Sequence, residues 1–373
     1  MPDLDARLSL EGVTRREFLA FCGCVGIALG LGEMSAPAVA AALQRGARLA
    51  PAVWLNLGSC TGCTESLAQS AAPDIASIVL DLLSLDYMET LAAAAGTQAE
   101  SALDDTLRRG GHLAIVEGAV MTGEGGNTLR IAGTTGQALL ERVCRDATLV
   151  VAVGSCAVDG GWVRGRPNPA GATGVMQQLS ALTPRLVNLP TCPVNPEWVV
   201  AILTGHLLGP PFPALDEVRR PLSFFGQTIH DHCPRRGHFA NGEFVERFGS
   251  EEEGLGWCLY DLGCKGPVTR ADCPRVRWNR GVSWCVEAGS PCIGCASLDW
   301  VDAGAPFLAR TKAVQPGIAG LRPEVIGEVV AAGTAGAFAA WGVVETARGR
   351  LHDPVPGGEP DGAEPPSDAA NGA

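Results

Sequence analysis

Ala52-Val53-Trp54-Leu55-Asn56-Leu57 runs straight into Gly58-Ser59-Cys60-Thr61-Gly62-Cys63, an apolar strand candidate that ends on a C-x-x-C step. Nearly every position of the strand is apolar, so both of its faces must be covered, as in a parallel sheet with helices on each side. The same pattern recurs at Ser77–Leu82, Leu113–Glu117, Thr148–Val153 and Arg185–Leu189, with helical stretches between, from Pro51 to about Pro221. Alternation of this kind predicts an α/β domain. Cysteines follow three of these strands directly: Cys60 and Cys63, then Cys156 in Gly154-Ser155-Cys156, then Cys192 in Pro190-Thr191-Cys192-Pro193. An open α/β sheet builds its site at the carboxyl ends of its strands, which is where these thiols fall.

The 373 residues suffice for a large core and two domains. A formal net charge of -12, without a basic stripe, excludes nucleic acid as a partner. Gly123-x-Gly125-Gly126 lacks the Lys and Ser/Thr of a phosphate-binding loop, so no nucleotide is expected and a tight turn at positive φ is. Thr14-Arg15-Arg16-Glu17-Phe18-Leu19, an apolar run to Leu31 and the small residues Ala38-Val39-Ala40 read as a twin-arginine export signal over residues 1–40. Cys22 and Cys24 would leave with it.

Twelve of the 14 cysteines lie beyond that leader. Cys144 sits in the helical run Leu139–Cys144 and reads as a core residue. The others, with His230, are spaced as Cys60-x-x-Cys63, Cys156, Cys192, His230-x-x-Cys233, Cys258, Cys264, Cys273, Cys285 and Cys292-x-x-Cys295. These twelve soft ligands would complete three four-iron clusters. An exported disulfide framework and structural zinc are the competing readings. Twin-arginine export carries proteins that folded in the reducing cytosol, which favours an inserted cofactor over disulfides. Zinc favours two close pairs per ion, whereas several of these cysteines stand alone. Beyond Pro221 the pattern dissolves into Gly, Pro, Trp and Cys, a segment that bound clusters would have to organise.

Together, Leu57-Gly58-Ser59-Cys60-Thr61-Gly62-Cys63-Thr64-Glu65-Ser66, Val116-Glu117-Gly118-Ala119, Gly154-Ser155-Cys156-Ala157, Cys192-Pro193-x-Asn195-Pro196, His230-x-x-Cys233 and Ser290-Pro291-Cys292-Ile293-Gly294-Cys295 resemble the small subunit of NiFe hydrogenases. The resemblance implies a flavodoxin-like parallel-sheet domain over 50–225, holding one cluster. It also implies a loop-rich, irregular and helical iron-sulfur domain over 226–315, holding two. Cys60, Cys63, Cys156 and Cys192 match the ligands of a proximal 4Fe-4S cluster, nearest the NiFe centre of a partner large subunit. His230, Cys233, Cys258 and Cys264 match a distal 4Fe-4S cluster, where imidazole in place of thiolate shifts the potential upward. Cys273, Cys292 and Cys295 match a medial cluster. Many members carry proline where this chain has Cys285, which leaves a 3Fe-4S cluster; a fourth thiolate would complete a 4Fe-4S cube.

The implied activity is electron transfer in a periplasmic or membrane-associated heterodimer oxidising H2. The expected acceptor is a cytochrome or a membrane iron-sulfur/cytochrome b complex. An H2-sensing regulatory complex would share the ligands but has no use for an export leader. Glu65 is a candidate proton relay or interface group against a plain helix-start carboxylate, and Glu117 either takes such a role or bonds backbone amides. Gly62 and Gly161 stand where oxygen-tolerant relatives carry two extra cysteines, so a conventional proximal cube is expected. Trp257, Trp278, Trp284 and Trp300 are expected to wall clusters from water. Residues 316–373 combine an apolar stretch, Val325 to Val344, suited to docking or anchoring, with an acidic, Pro/Gly/Ala-rich tail expected to be disordered.

Overall fold

Strand β1 (Ala50–Asn56) sends Ala52 and Trp54 into one apolar core and Val53 and Leu55 into another, the two-residue period of an extended chain buried on both faces. The computed structural model describes residues 49–71, 73–179, 185–209, 212–310 and 323–348; the leader at 1–40 and the tail beyond 348 lie outside the described residues. Helix α1 (Gly62–Leu67) follows β1. Strand β2 (Leu83–Met88), helix α2 (Thr97–Arg109) and strand β3 (Leu113–Glu117) come next. Helix α3 (Gly136–Cys144), strand β4 (Leu149–Val153), helix α4 (Gly154–Asp159), strand β5 (Leu186–Leu189) and helix α5 (Pro196–Leu208) complete the alternation.

All five strands run parallel in the order β2-β1-β3-β4-β5, the flavodoxin-like arrangement. Every residue of β3, β4 and β5 is buried. The order reverses beside β1, so the loops after β1 and β3 open a crevice at the carboxyl edge.

One expected strand is not a strand. Ser77–Leu82 belongs instead to a helical turn, Ile75–Ser77, that continues as a π-helical turn over Ile78–Leu82. Asp74 caps it by accepting from the Ser77 amide at 2.9 Å, and a capped turn captures the apolar run before it can extend. The sheet edge is the next segment, Leu83–Met88, paired to β1 alone.

From Leu222 onward the chain folds as short helices and turns, among them Leu222–Phe225, Arg236–Asn241, Cys273–Val276 and Trp300–Gly304. One apolar core nevertheless runs through both stretches, joining Trp54, Val151 and Trp198 to Val245, Trp284 and Ala296. The described residues up to 310 form one compact unit and those from 323 to 348 belong to another. Within the second lies helix α6 (Pro323–Ala347), of which Gly327–Ala347 is exposed and long and apolar enough to cross a bilayer.

Candidate functional site

The turns leaving β1, β4 and β5 bring Cys60, Cys63, Cys156 and Cys192 into one group. Their sulfurs interact electrostatically: Cys63 with Cys192 and Cys156, Cys156 with Cys192 and Cys60, and Cys192 with Cys60. Burial, then the Glu117 carboxylate, push the Cys63 thiol well above its usual range. Burial likewise raises Cys156 to about 11 and lifts Cys192. Left alone, these thiols stay protonated, so iron must displace protons to bind them.

Glycine makes room for the group. A Cβ on Gly154, at φ 81°, would stand within contact-forbidden range of Cys63 Sγ, and one on Gly161, at φ 49°, would lie 2.8 Å from Cys156 Sγ. Gly62 is similarly tight against Cys60 Sγ, at 3.1 Å. The space at 62 and 161 is therefore already taken up by the Cys60 and Cys156 side chains and their own loops. Cys63 Sγ accepts from the Val194 amide at 3.4 Å. Trp162 donates its backbone N–H to the Cys156 sulfur and its indole N–H to that of Cys192.

Cys273, Cys285, Cys292 and Cys295 line a second space, a cavity of about 430 Å³ walled by Trp278 and Trp284. Burial, then Cys295 and Cys285, drive Cys273 well above its usual range. Burial, then Cys264, Cys295 and Cys273, do the same to Cys292, and Cys295 rises to about 12, mainly through burial. Although Cys285 is exposed as a residue, it lines this same cavity and burial raises its thiol.

His230, Cys233, Cys258 and Cys264 line a third space beside Tyr260. A capping box sets His230 in its turn: Asp231 N donates to Thr228 Oγ1 at 3.3 Å, and Thr228 N donates to Asp231 Oδ2 at 2.8 Å. The ring packs edge-on against Phe239 at 4.5 Å. Burial, then Arg236, lower the imidazole's pKa against the opposing pull of Asp231, so the ring is neutral at pH 7 and free to ligate.

The three spaces adjoin in sequence. Cys192 interacts with Cys295, and Ser155 Oγ donates to Cys295 O at 2.5 Å, joining the first to the second. The Cys292 amide donates to Cys264 Sγ at 3.4 Å, joining the second to the third. None of the twelve described cysteines is bridged to another. Among the described residues, no three His, Cys, Asp or Glu side chains converge on one point as ligands of a single ion would. A four-iron cube spreads its ligands over four metals, so it does not require them to converge on one ion.

Glu65 lies in the first turn of α1, exposed, on the rim of the second cavity. Glu117 is buried and accepts four donors: Trp54 Nε1 at 3.0 Å, Asn56 Nδ2 at 3.2 Å, Thr64 Oγ1 at 2.6 Å and the Cys63 amide at 3.0 Å. The sequence offers Glu117 either a relay or interface role or bonds to backbone amides; of its four donors one is a backbone amide and three are side chains. Cys144 is buried in the core, its thiol pushed to about 12 by burial. Trp300 is buried against Trp162 at 4.7 Å and Trp257 packs on the core, while Gly125 and Gly126 take positive φ. Trp162, Ser155 and Lys265 escaped the sequence reading; adjacency to Gly161, Cys156 and Cys264 was their only signal.

Residues 225–308 match the family model for the C-terminal part of the NiFe/NiFeSe hydrogenase small subunit, and residues 60–206 match that of the 20 Kd subunit of NADH ubiquinone oxidoreductase. The chain is 44% identical to the periplasmic [NiFe] hydrogenase small subunit 1 of Nitratidesulfovibrio vulgaris over 81% of its length and 95% of that relative's. It is 41% identical to the uptake hydrogenase small subunit of Azotobacter vinelandii, over 92% and 95%. A solved structure of the Desulfomicrobium baculatum [NiFeSe]-hydrogenase superposes with a TM-score of 0.66 at 35% identity, over 71% of this chain and 100% of that one.

Proposed function

Because the chain belongs to the NiFe hydrogenase small-subunit family, we propose a residue-level account of how it moves electrons. It is the electron-transfer subunit of a heterodimer whose large subunit holds the NiFe centre, and it carries three iron-sulfur clusters. H2 split at that centre yields two protons and two electrons, and the clusters supply one-electron sites along the exit route. This chain's residues hold, insulate and tune them.

Cys60, Cys63, Cys156 and Cys192 hold the proximal 4Fe-4S cluster. Cys273, Cys285, Cys292 and Cys295 hold a medial 4Fe-4S cluster, and His230, Cys233, Cys258 and Cys264 the distal one. Residues 50–225 form the domain of the first, 226–315 that of the other two. The observation carrying this account is the adjacency of the three groups in one order, through Cys192 with Cys295 and Cys292 with Cys264. Glu65, exposed on the first turn of α1, serves as a proton-relay or interface group. The protein works on the periplasmic side, reached through the twin-arginine signal at Arg15-Arg16. Electrons leave beside His230 to a cytochrome or a membrane iron-sulfur/cytochrome b complex, with the exposed apolar helix α6 as the docking or anchoring element.

Purified with its large subunit, the chain should hold about twelve irons and as many acid-labile sulfides. Cys60→Ser should end H2-dependent acceptor reduction while isotope exchange at the large subunit persists; acceptor reduction at the parent rate would remove the proximal assignment. For Cys285→Ala, loss of about one iron and a new 3Fe-4S signal in the oxidised enzyme are expected, with a more positive medial potential. A parent enzyme already showing that signal stoichiometrically would remove Cys285 from the ligand set.

A further inference from the structure

Lys265 is the only lysine or arginine in the buried class among the described residues. It is also one of only two lysines among the 28 basic residues of the chain. Its ammonium donates to Ala309 O at 2.6 Å, a neutral partner, and among the described residues no carboxylate forms an ion pair with it. A buried charge without a counter-charge is costly, so something anionic must stand nearby. The backbone shows what. Lys265 directly follows Cys264, its amide donates to Cys292 O at 2.7 Å, and Thr269 Oγ1 donates to Lys265 O at 2.8 Å. A Cβ on Gly294 would lie 3.3 Å from Lys265 Cβ, so that glycine lets the Cys292–Cys295 loop rest on the lysine stem. Burial draws the Lys265 ammonium below the ordinary lysine range, and the Cys264 and then the Cys292 sulfurs, as thiolates, pull it back toward the charged form.

We infer that Lys265 is the shared counter-cation of the distal and medial clusters, one fixed positive charge that holds both at more positive potentials than their ligands alone would set. The inference rests on the ligand sets proposed above. Each cluster gains negative charge on reduction, and a cation in a poorly polarisable interior favours that form of both. A compact ammonium suits the position, since it presents a point charge without the fork geometry of arginine. Lys265 touches no reacting atom; it acts through the clusters.

The test is an EPR-monitored redox titration of the purified heterodimer, with iron counted in every sample. In Lys265→Met, and in Lys265→Gln, which keeps a donor for Ala309 O, the medial and distal reduction equilibria should each weaken about tenfold, 59 mV for a one-electron couple, while the proximal cluster holds its parent value. Lys265→Arg should restore both, using the adjoining cavity of about 260 Å³. Fully loaded neutral variants that titrate like the parent, or that move the proximal cluster equally, overturn the inference. If neutral variants fail to load these two clusters, loading of Lys265→Arg supports a requirement for charge, and its failure as well overturns it. A parent enzyme lacking clusters at these ligands would instead overturn the ligand assignment.

Discussion

Gly154→Ala is expected to eliminate the proximal cluster and with it every H2-dependent reduction of an acceptor. The added carbon would overlap Cys63 Sγ, far inside the 3.0 Å that real Cβ atoms respect. The sulfur cannot yield freely, because the Val194 amide bonds it and Cys63 N is tied to Glu117. The backbone adds strain of roughly 1–3 kcal/mol for a side chain at positive φ. The measurement is iron content with EPR of the reduced heterodimer: about four irons fewer and no proximal signal, with isotope exchange at the large subunit surviving. Gly125→Ala is the control, since it imposes positive φ with nothing within 4 Å of the new carbon. It should lose stability slightly and keep all its iron. Full iron and an intact proximal signal in Gly154→Ala would show that Cys63 is not a ligand.

Glu117→Ala should be the most destabilising single substitution in the sheet. Four donors converge on its two oxygens in a buried site, and each donor orphaned there costs about 1–3 kcal/mol. A loss of at least about 4 kcal/mol follows, read as a melting temperature lower by on the order of 10 °C and a poor yield of assembled heterodimer. Glu117→Gln separates charge from shape. Its one oxygen can serve Trp54, Asn56 and Thr64, leaving its amide facing the Cys63 N–H donor to donor, so the cost falls to about 1–3 kcal/mol. Removal of a negative charge beside Cys63 should also make the proximal cluster easier to reduce. An unshifted proximal potential in a well-folded Glu117→Gln enzyme would show that the carboxylate acts only as scaffold.

The strands that could be read from sequence are those buried on both faces: β1, β3, β4 and β5 are continuous apolar runs between breakers. The edge strand was misplaced because β2 pairs on one side only, so Leu83–Met88 alternates with Ser84 and Asp86 and carries a weaker apolar signal than the helical run before it. Candidate ligands stood out because C-x-x-C and H-x-x-C steps are local. Their neighbours did not. Glu117 gathers Trp54, Asn56, Cys63 and Thr64 from the other side of a crossover, and Ser155 reaches Cys295 across 140 residues of sequence. Such contacts exist only once the topology has closed, and no spacing in the primary structure encodes them.

The apolar core that unites Trp54 and Trp198 with Trp284 and Ala296 ties maturation to inspection. Its later members hang on the loops that carry Cys285, Cys292 and Cys295, so a polypeptide awaiting its metal would display a greasy, unfinished interior. Any export gate that rejects sticky, incompletely folded cargo thereby audits iron delivery without ever sensing iron.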